Sequence, residues 1–165
     1  MNVTLIGMSG VGKSFLGKKL ADELDYAFID TDRLLEERFH KPIQDILDSL
    51  GNEGFLKEEE ALLLGLTDVE DTVISPGGSV VYSPAAVRTL KQISSVVYLE
   101  APATWVKERT NPAERGIVGL QHRSFDELYS ERQKLYEAMA DYTISVSEKE
   151  PNLIVAEMIR HLGLA

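Results

Sequence analysis

Residues 7–14 read GMSGVGKS, and this stretch decides the fold because it matches the pattern G-x-x-x-x-G-K-[ST]. A short apolar run, residues 3–6, precedes it and reads as a buried strand. After it, Leu16, Leu20 and Leu24 recur at helical spacing. A strand, a glycine-rich turn and a helix in this order are the context that a phosphate-binding loop requires.

The glycines and the polar residues of this loop have separate chemical roles. Gly10 and Gly12 let the backbone turn so that successive amides point at phosphate oxygens. The helix that begins near Lys13 adds the positive end of its dipole. We expect Lys13 to reach the β- and γ-phosphates and the Ser14 hydroxyl to ligate Mg²⁺. The sequence therefore predicts a site for ATP and Mg²⁺, with the nucleotide bound by Gly10, Val11, Gly12, Lys13, Ser14 and Phe15.

The composition limits the classes of protein that the chain can represent. Its 165 residues are 44% hydrophobic, which suits a single domain, 1–165, with one substantial core. No cysteine is present, which excludes disulfides, thiolate zinc sites and a cysteine nucleophile. The net charge of −10 disfavours nucleic acid as a partner. With no long apolar run and no signal-peptide pattern, we expect a cytoplasmic protein, away from membranes and monomeric.

Short apolar segments alternate with helical patterns along the whole chain. This alternation favours an α/β fold in which a parallel sheet is covered by helices on both faces, a three-layer α/β/α sandwich. Ligands in such sheets bind beyond the carboxyl ends of the strands. The expected strands are residues 3–6, 27–29, 72–74, 96–99 and 143–146.

Local signals predict several helix boundaries. Pro42 opens a helix that we expect to stop at Gly51, with a further helix over residues 55–66. Ser83, followed by proline, is typical of an N-cap. Ser124 begins the pattern S-x-x-E, a capping box.

Two carboxylates, Asp30 and Asp32, lie at the end of the second predicted strand. One could hold the magnesium shell, and the other could orient an attacking hydroxyl or accept its proton. Either could also serve only as a helix cap, but a pair facing the phosphate loop favours a functional role.

With these motifs in place, the chain resembles the shikimate kinase family of the nucleoside-monophosphate-kinase-like P-loop proteins. The resemblance implies a five-stranded parallel sheet in the order 2-3-1-4-5, a P-loop kinase fold, and a lid at about residues 110–123. It rests on the glycine loop, residues 28–32, Gly51, Phe55, Glu59, residues 76–78, Arg109, Arg115, Arg132, residues 135–136 and Pro151.

The resemblance also implies a function and the residues that carry it. The chain would transfer the γ-phosphoryl group of ATP to a hydroxyl of shikimate or a related polyhydroxylated acceptor, in aromatic amino acid biosynthesis. Asp30 would contribute to the magnesium shell through water. Asp32 would bind the acceptor's hydroxyls and act as the base. Arg115, on the lid, would reach the phosphates after closure.

The remaining implied contacts divide between the acceptor and the adenine. Gly77 and Gly78 would offer backbone amides to the acceptor, and Arg132 would bind its carboxylate. Arg109 and Pro151 would sandwich the adenine. The catalytic set is thus Lys13, Asp32 and Arg115, while Arg123 reads as a surface arginine.

The acceptor side departs from the family pattern. Where the family has Phe-Arg, with the arginine clamping the acceptor's carboxylate, this chain has Leu56 after its phenylalanine. Lys57 follows, but a helix turns about 100° per residue, so the two side chains point in different directions. Lys57, Lys41 or His40 could compensate, or the acceptor could lack a carboxylate at that end. Ser79 also replaces the last of the family's three glycines.

Two other functions compete with that of an acceptor kinase. The altered acceptor side would fit a kinase-derived nucleotide-binding protein without shikimate kinase activity. A nucleoside monophosphate kinase is less consistent with the short, arginine-poor lid.

Overall fold

A five-stranded parallel sheet forms the centre of the fold. The computed structural model describes residues 1–111 and 116–164. The strands are β1 (Asn2–Ile6), β2 (Ala27–Asp30), β3 (Thr72–Ser75), β4 (Ser94–Glu100) and β5 (Tyr142–Ser145). They lie in the order β2-β3-β1-β4-β5 with all neighbours parallel, so the predicted sheet is confirmed.

Helices connect the strands and cover the sheet. Helix α1 packs against α7, and α3 packs against α4, which gives the predicted three-layer arrangement. Within the described part of the chain, no helix is both long and apolar enough to cross a membrane. The helices are α1 (Lys13–Leu24), α2 (Thr31–Phe39), α3 (Ile43–Leu64), α4 (Pro84–Ile93), α5 (Ala103–Arg109), α6 (Phe125–Met139) and α7 (Pro151–Leu162), with a 3₁₀ helix at Gly78–Tyr82.

The hydrophobic core is divided into two parts. The larger part lies around the sheet, where β1 and β4 are buried along most of their length. A smaller cluster lies under α2 and α3, and we call it the α3 cluster. It joins α3 to the segment after residue 116, and its buried members are Leu35, Ile43, Ile46, Leu47, Phe55 and Val118.

The predicted caps are confirmed, and one predicted boundary changes. Ser83 Oγ accepts a hydrogen bond from the Ala86 amide at 3.1 Å, and Ser124 Oγ accepts one from the Glu127 amide at 3.2 Å. Gly51 interrupts α3 with φ 70° and ψ 174°, but the helix resumes at once. The non-helical backbone at Gly51 confirms the predicted stop, and α3 consists of two helical segments joined by a kink there. The second segment begins directly after Gly51 instead of at residue 55.

The sheet brings the carboxyl ends of three strands together. Residue Asp30, the last of β2, is in register with Ser75, the last of β3. Strand β1 pairs with β3 on its other side and leads directly into residues 7–14. Because all strands are parallel, the glycine loop, the carboxylates after β2 and the 3₁₀ helix after β3 share one edge.

Candidate active site

The glycine loop has the backbone geometry of a phosphate cradle. Gly10 and Gly12 have φ values of +88° and +109°, a region that side chains rarely adopt. A Cβ at Gly10 would also overlap the side-chain methyl of Thr110, which covers the loop. Helix α1 begins at Lys13, so its amino end faces the space above the loop.

Lys13 lies folded over this loop. Its Nζ donates to the carbonyl oxygens of Gly7 at 2.8 Å and Met8 at 3.0 Å. Burial lowers the pKa of Lys13 to about 8, and the negative charge of Asp32 opposes that shift. A bound phosphate would favour the charged ammonium further.

Ser14 and Asp30 meet beside the loop. Ser14 Oγ donates to Asp30 Oδ2 at 2.5 Å, while Asp30 Oδ1 accepts from the Arg33 amide at 3.3 Å. Asp30 therefore caps α2 and also contacts the loop, so capping and a functional role are compatible. A hydroxyl and a carboxylate are hard oxygen donors, the kind that Mg²⁺ prefers.

A small pocket lies between the ends of β2 and β3 and helix α6. It encloses only about 10 Å³, room for about one water molecule. An open cleft of about 250 Å³ adjoins it beside Lys13, and Asp32 lines both spaces. The pocket is lined by Ser9, Asp32, Phe55, Gly77, Gly78, Ser79, Gly116, Ile117, Val118 and Arg132, and we call it the acceptor pocket.

Two carboxylates lie beside Gly77 at this pocket: Asp32 from α2 lines the pocket, and Glu59 from α3 is buried next to it. A Cβ at Gly77 would collide with both of them, so glycine is required there. Burial raises the pKa of Asp32 to about 6, with Lys13 opposing the shift. Burial and then Asp32 raise the pKa of Glu59 to about 7.

No role for Glu59 was predicted from the sequence, although the family resemblance included this residue. The signal was its position four residues after Phe55, which places both side chains on one face of α3. Phe55 and Glu59 are each only 2% exposed. A buried carboxylate on an otherwise apolar face indicates a polar partner or a ligand.

Arg132 is the cation of the pocket. It is 1% exposed, and its Nη2 donates to the Val118 carbonyl at 2.7 Å. Its guanidinium carbon lies 5.3 Å from the Tyr82 ring centroid. Its Nε has no hydrogen-bond partner within residues 1–111 and 116–164, although it is buried. Arg132 thus carries a donor that a bound anion could use.

The predicted amide donors, Gly77 and Gly78, differ in their contacts. The Gly77 amide already donates to the Thr31 hydroxyl at 3.2 Å. The Gly78 carbonyl accepts from the Tyr136 hydroxyl at 2.6 Å, which fixes the start of the 3₁₀ helix. A Cβ at Gly78 would lie 3.0 Å from Arg132 Nη1, so glycine allows the guanidinium to approach the backbone.

Residues 116–118, in the middle of the predicted lid, close the acceptor pocket. The Gly116 amide donates to Gln44 Oε1 at 2.9 Å, and Ile117 and Val118 are buried against the pocket. An acceptor larger than water therefore needs this segment to move. Arg115, predicted to reach the phosphates, lies outside the described residues, and its role stays a prediction.

Leu56 is not among the residues that line the acceptor pocket. It is half-buried and packs against the α3 cluster. Lys57 does not replace an arginine at this point, because its side chain is 75% exposed and its Nζ lies 3.2 Å from Glu53 Oε1. Lys41 and His40 are exposed on the turn before α3.

The predicted adenine-binding residues lie on two helices. The Arg109 guanidinium stacks on Trp105, with its carbon 4.0 Å from the ring centroid, and Pro151 is the first residue of α7. These helices follow the neighbouring strands β4 and β5. The adenine sandwich stays a prediction.

The fold and the site define a class of protein. A phosphate loop after the central strand, carboxylates at the next strand end and a buried guanidinium opposite them are the features of a P-loop kinase with a small acceptor. The chain belongs to the shikimate kinase family, since the family model described as shikimate kinase matches residues 9–163. It is a phosphotransferase that acts on a hydroxyl group with ATP as donor.

Individual relatives support the same assignment. The chain is 35% identical to a shikimate kinase of Alkaliphilus oremlandii over 96% of each protein. Its structure is similar to that of shikimate kinase from Acinetobacter baumannii in complex with shikimate, with a TM-score of 0.89, 27% identity and coverage of 99% and 93%. Shikimate kinase from Aquifex aeolicus gives a TM-score of 0.85 and 30% identity, with coverage of 99% and 96%.

Replacing Glu59 with glutamine is expected to stabilise the ligand-free protein at alkaline pH. The pKa of Glu59 is higher in the folded protein, about 7, than its ordinary 4.5. The stability that the protonated Glu59 carboxyl contributes is therefore fully present below pH 4.5 and is lost as the pH rises through 7. Removing that ionisation should raise the free energy of unfolding by about 1 to 3 kcal/mol at pH 8, and by less than about 1 kcal/mol near pH 5.

Urea unfolding at the two pH values measures this difference. Glu53→Gln is the matched control, because Glu53 lies on the same helix with its side chain 86% exposed and should change stability little at either pH. An equal effect of Glu59→Gln at both pH values would contradict the raised pKa.

Proposed function

We propose that this chain uses ATP and Mg²⁺ to phosphorylate a hydroxyl of shikimate or a closely related polyhydroxylated acid. One observation carries the proposal: Asp32 lines both the cleft beside Lys13 and the acceptor pocket. A relative of closely similar structure holds shikimate. The proposal includes a monomeric, cytoplasmic enzyme of aromatic amino acid biosynthesis.

On the donor side, the loop amides and the amino end of α1 would bind the phosphates of ATP. Lys13 would leave the carbonyls of Gly7 and Met8 and neutralise charge on the β- and γ-phosphates. Ser14 and Asp30 would hold Mg²⁺, Asp30 through water. When bound, the ion supplies positive charge that stabilises the phosphate oxygens.

On the acceptor side, Arg132 would bind a carboxylate, and Asp32 would orient the reacting hydroxyl and take its proton. A bond forms between that oxygen and the γ-phosphorus while the bond from the γ-phosphorus to the bridging oxygen of ADP breaks. Closure of residues 116–118 over the pocket would exclude water from the transferred group.

Release of ADP, coupled to a spectrophotometric assay, tests the proposal. Purified protein with Mg-ATP should turn over with shikimate and show lower activity with quinate, gluconate and simple sugars. No ADP above background with any of them would refute it. Tight ATP binding without turnover would instead favour the kinase-derived nucleotide-binding protein, which the departure at Leu56 keeps open.

Replacing Leu56 with arginine is expected to lower the KM for shikimate about tenfold. Residue 56 directly follows Phe55, which lines the acceptor pocket, so we expect a long side chain there to reach the edge of the pocket. A second guanidinium would add a charge-assisted bond to the acceptor's carboxylate, which typically contributes about 1.5–3 kcal/mol. The loss of packing against the α3 cluster offsets part of that gain.

The control for this variant is Lys57→Arg, which places a guanidinium one residue further along, on the exposed face of α3. It should leave the KM for shikimate unchanged. An unchanged or higher KM for Leu56→Arg would show that residue 56 does not adjoin the bound carboxylate.

A further inference from the structure

Among the residues that the structure describes, Glu59 is held at one of its two carboxylate oxygens. Ser79 Oγ donates to Glu59 Oε1 at 2.9 Å, and both residues are buried, at 4% and 2% exposure. Oε2 is buried beside Gly77 and has no hydrogen-bond partner in the described ranges 1–111 and 116–164. An unpartnered carboxylate oxygen that adjoins the wall of a polar pocket is suited to accept a hydrogen bond from a ligand hydroxyl.

The serine hydroxyl holds Oε1 and leaves Oε2 beside Gly77, a residue that lines the pocket. Ser79 lies in the 3₁₀ helix, whose first turn is closed by the Val80 amide donating to the Gly77 carbonyl at 3.2 Å. Its position is therefore set by the backbone, and its hydroxyl can hold Oε1 in one place. Without it, the carboxylate would lose its one hydrogen bond from within the described residues and could rotate in the pocket.

The two departures from the family pattern, Leu56 and Ser79, are both neighbours of the Glu59 carboxylate. Leu56 lies one helical turn before Glu59 on α3, so the two side chains are neighbours. An arginine at position 56 could approach the Glu59 carboxylate, whereas leucine offers it no donor. A glycine at position 79 would also offer none. In this chain the donor comes from the 3₁₀ helix instead of from α3.

We propose that Ser79 is a positioning residue, which orients Glu59 to accept a hydrogen bond from an acceptor hydroxyl and compensates for leucine at position 56. The inference rests on the proposed function of the same pocket. It deepens that function by adding Glu59, held by Ser79, to Asp32 and Arg132 as a contact that recognises the hydroxyls of the acceptor.

Removing the hydroxyl should change acceptor binding selectively. Ser79→Ala and Ser79→Gly are expected to raise the KM for shikimate about tenfold or more, because one hydrogen bond to a charged group is lost. The KM for ATP should stay within about twofold, since Ser79 lines the acceptor pocket and not the loop. The control is Ser49→Ala, whose hydroxyl bonds a helix carbonyl on the exposed side of α3.

The coupling between positions 56 and 79 is tested by measuring the KM for shikimate in the double variant. Leu56→Arg should lower the KM for shikimate more in the Ser79→Gly background than in the wild type, because only there does Glu59 lack a donor. Additive effects would overturn the compensation. An unchanged KM in both Ser79 variants, in a wild type that turns shikimate over, would overturn the positioning role alone. A wild type without turnover would refute the proposed function instead.

A second measurement needs no acceptor. The Ser79 hydroxyl, Arg132 and Lys13 all lower the pKa of Glu59, while burial and Asp32 raise it. Ser79→Ala should therefore move the carboxyl titration of Glu59, followed by carbon NMR with Glu59→Gln for assignment, to higher pH. A titration that does not move would show that Ser79 does not hold Glu59, even if the enzyme proves inactive with shikimate.

Discussion

Asp32→Asn is expected to lower kcat with shikimate by about 10²- to 10⁴-fold, the usual contribution of a positioned base. Asp32 borders both the cleft beside Lys13 and the acceptor pocket. Asparagine keeps the shape and can still contact a hydroxyl, but it cannot take its proton. The KM for ATP should change little, because we expect the loop and the amino end of α1 to bind the phosphates.

The free energy of unfolding of Asp32→Asn shows whether the fall in kcat comes from lost catalysis or from a folding defect. Burial raises the pKa of Asp32 to about 6, so the ionised form is disfavoured in the ligand-free protein. Asparagine should therefore leave the free energy of unfolding unchanged or increase it at pH 8. Asp68→Asn, on the exposed loop before β3, is the control and should behave as wild type. A kcat within tenfold of wild type for Asp32→Asn would exclude Asp32 as the base.

The features that the sequence predicted well depend on local interactions. The glycine loop needs three particular residue types at fixed spacing, and its strand and helix flank it directly. The caps at Ser83 and Ser124 depend on a side chain and an amide three residues apart. Such patterns are encoded within a few residues, so they can be recognised without the rest of the chain. The strand order came from the family resemblance and is also confirmed.

The features that the sequence did not predict depend on contacts between distant segments. The 3₁₀ helix at Gly78–Tyr82 contains two valines, which favour a strand, but Tyr136 bonds its first carbonyl from α6. Here a tertiary contact outweighs the local preference.

In the acceptor pocket, too, some residues were predicted from the sequence and others, which depend on contacts between distant segments, were not. Asp32, Gly77 and Arg132 were predicted and lie around one pocket. Glu59 and its bond to Ser79 were missed, because 20 residues separate them in sequence and neither forms a motif alone. Leu56 was expected at the carboxylate clamp, and the structure packs it against the α3 cluster instead of on the pocket wall. Its effect on the acceptor stays a prediction.

Arg132→Lys is expected to raise the KM for shikimate by about 10- to 100-fold while changing kcat much less. An ammonium keeps the positive charge opposite Asp32 and Glu59, but it cannot reproduce the planar fork of a guanidinium on a carboxylate. Because Leu56 supplies no second cation, the chain would depend on Arg132 more than a two-arginine clamp would. Loss of one charge-assisted bond corresponds to about one to two decades in affinity.

Arg132→Lys also distinguishes between two roles of Arg132, a contact with the acceptor and a contact with the lid. Arg132 Nη2 holds the Val118 carbonyl at 2.7 Å, so its loss also weakens closure of residues 116–118. Quinate and shikimate should be affected alike if the carboxylate is the contact, whereas a sugar without a carboxylate should lose only the smaller part that comes from weaker closure. Arg88→Lys, on the exposed side of α4, provides the control. An equal rise in the KM for ATP would mean that Arg132 serves the lid and the nucleotide, and not the acceptor's carboxylate.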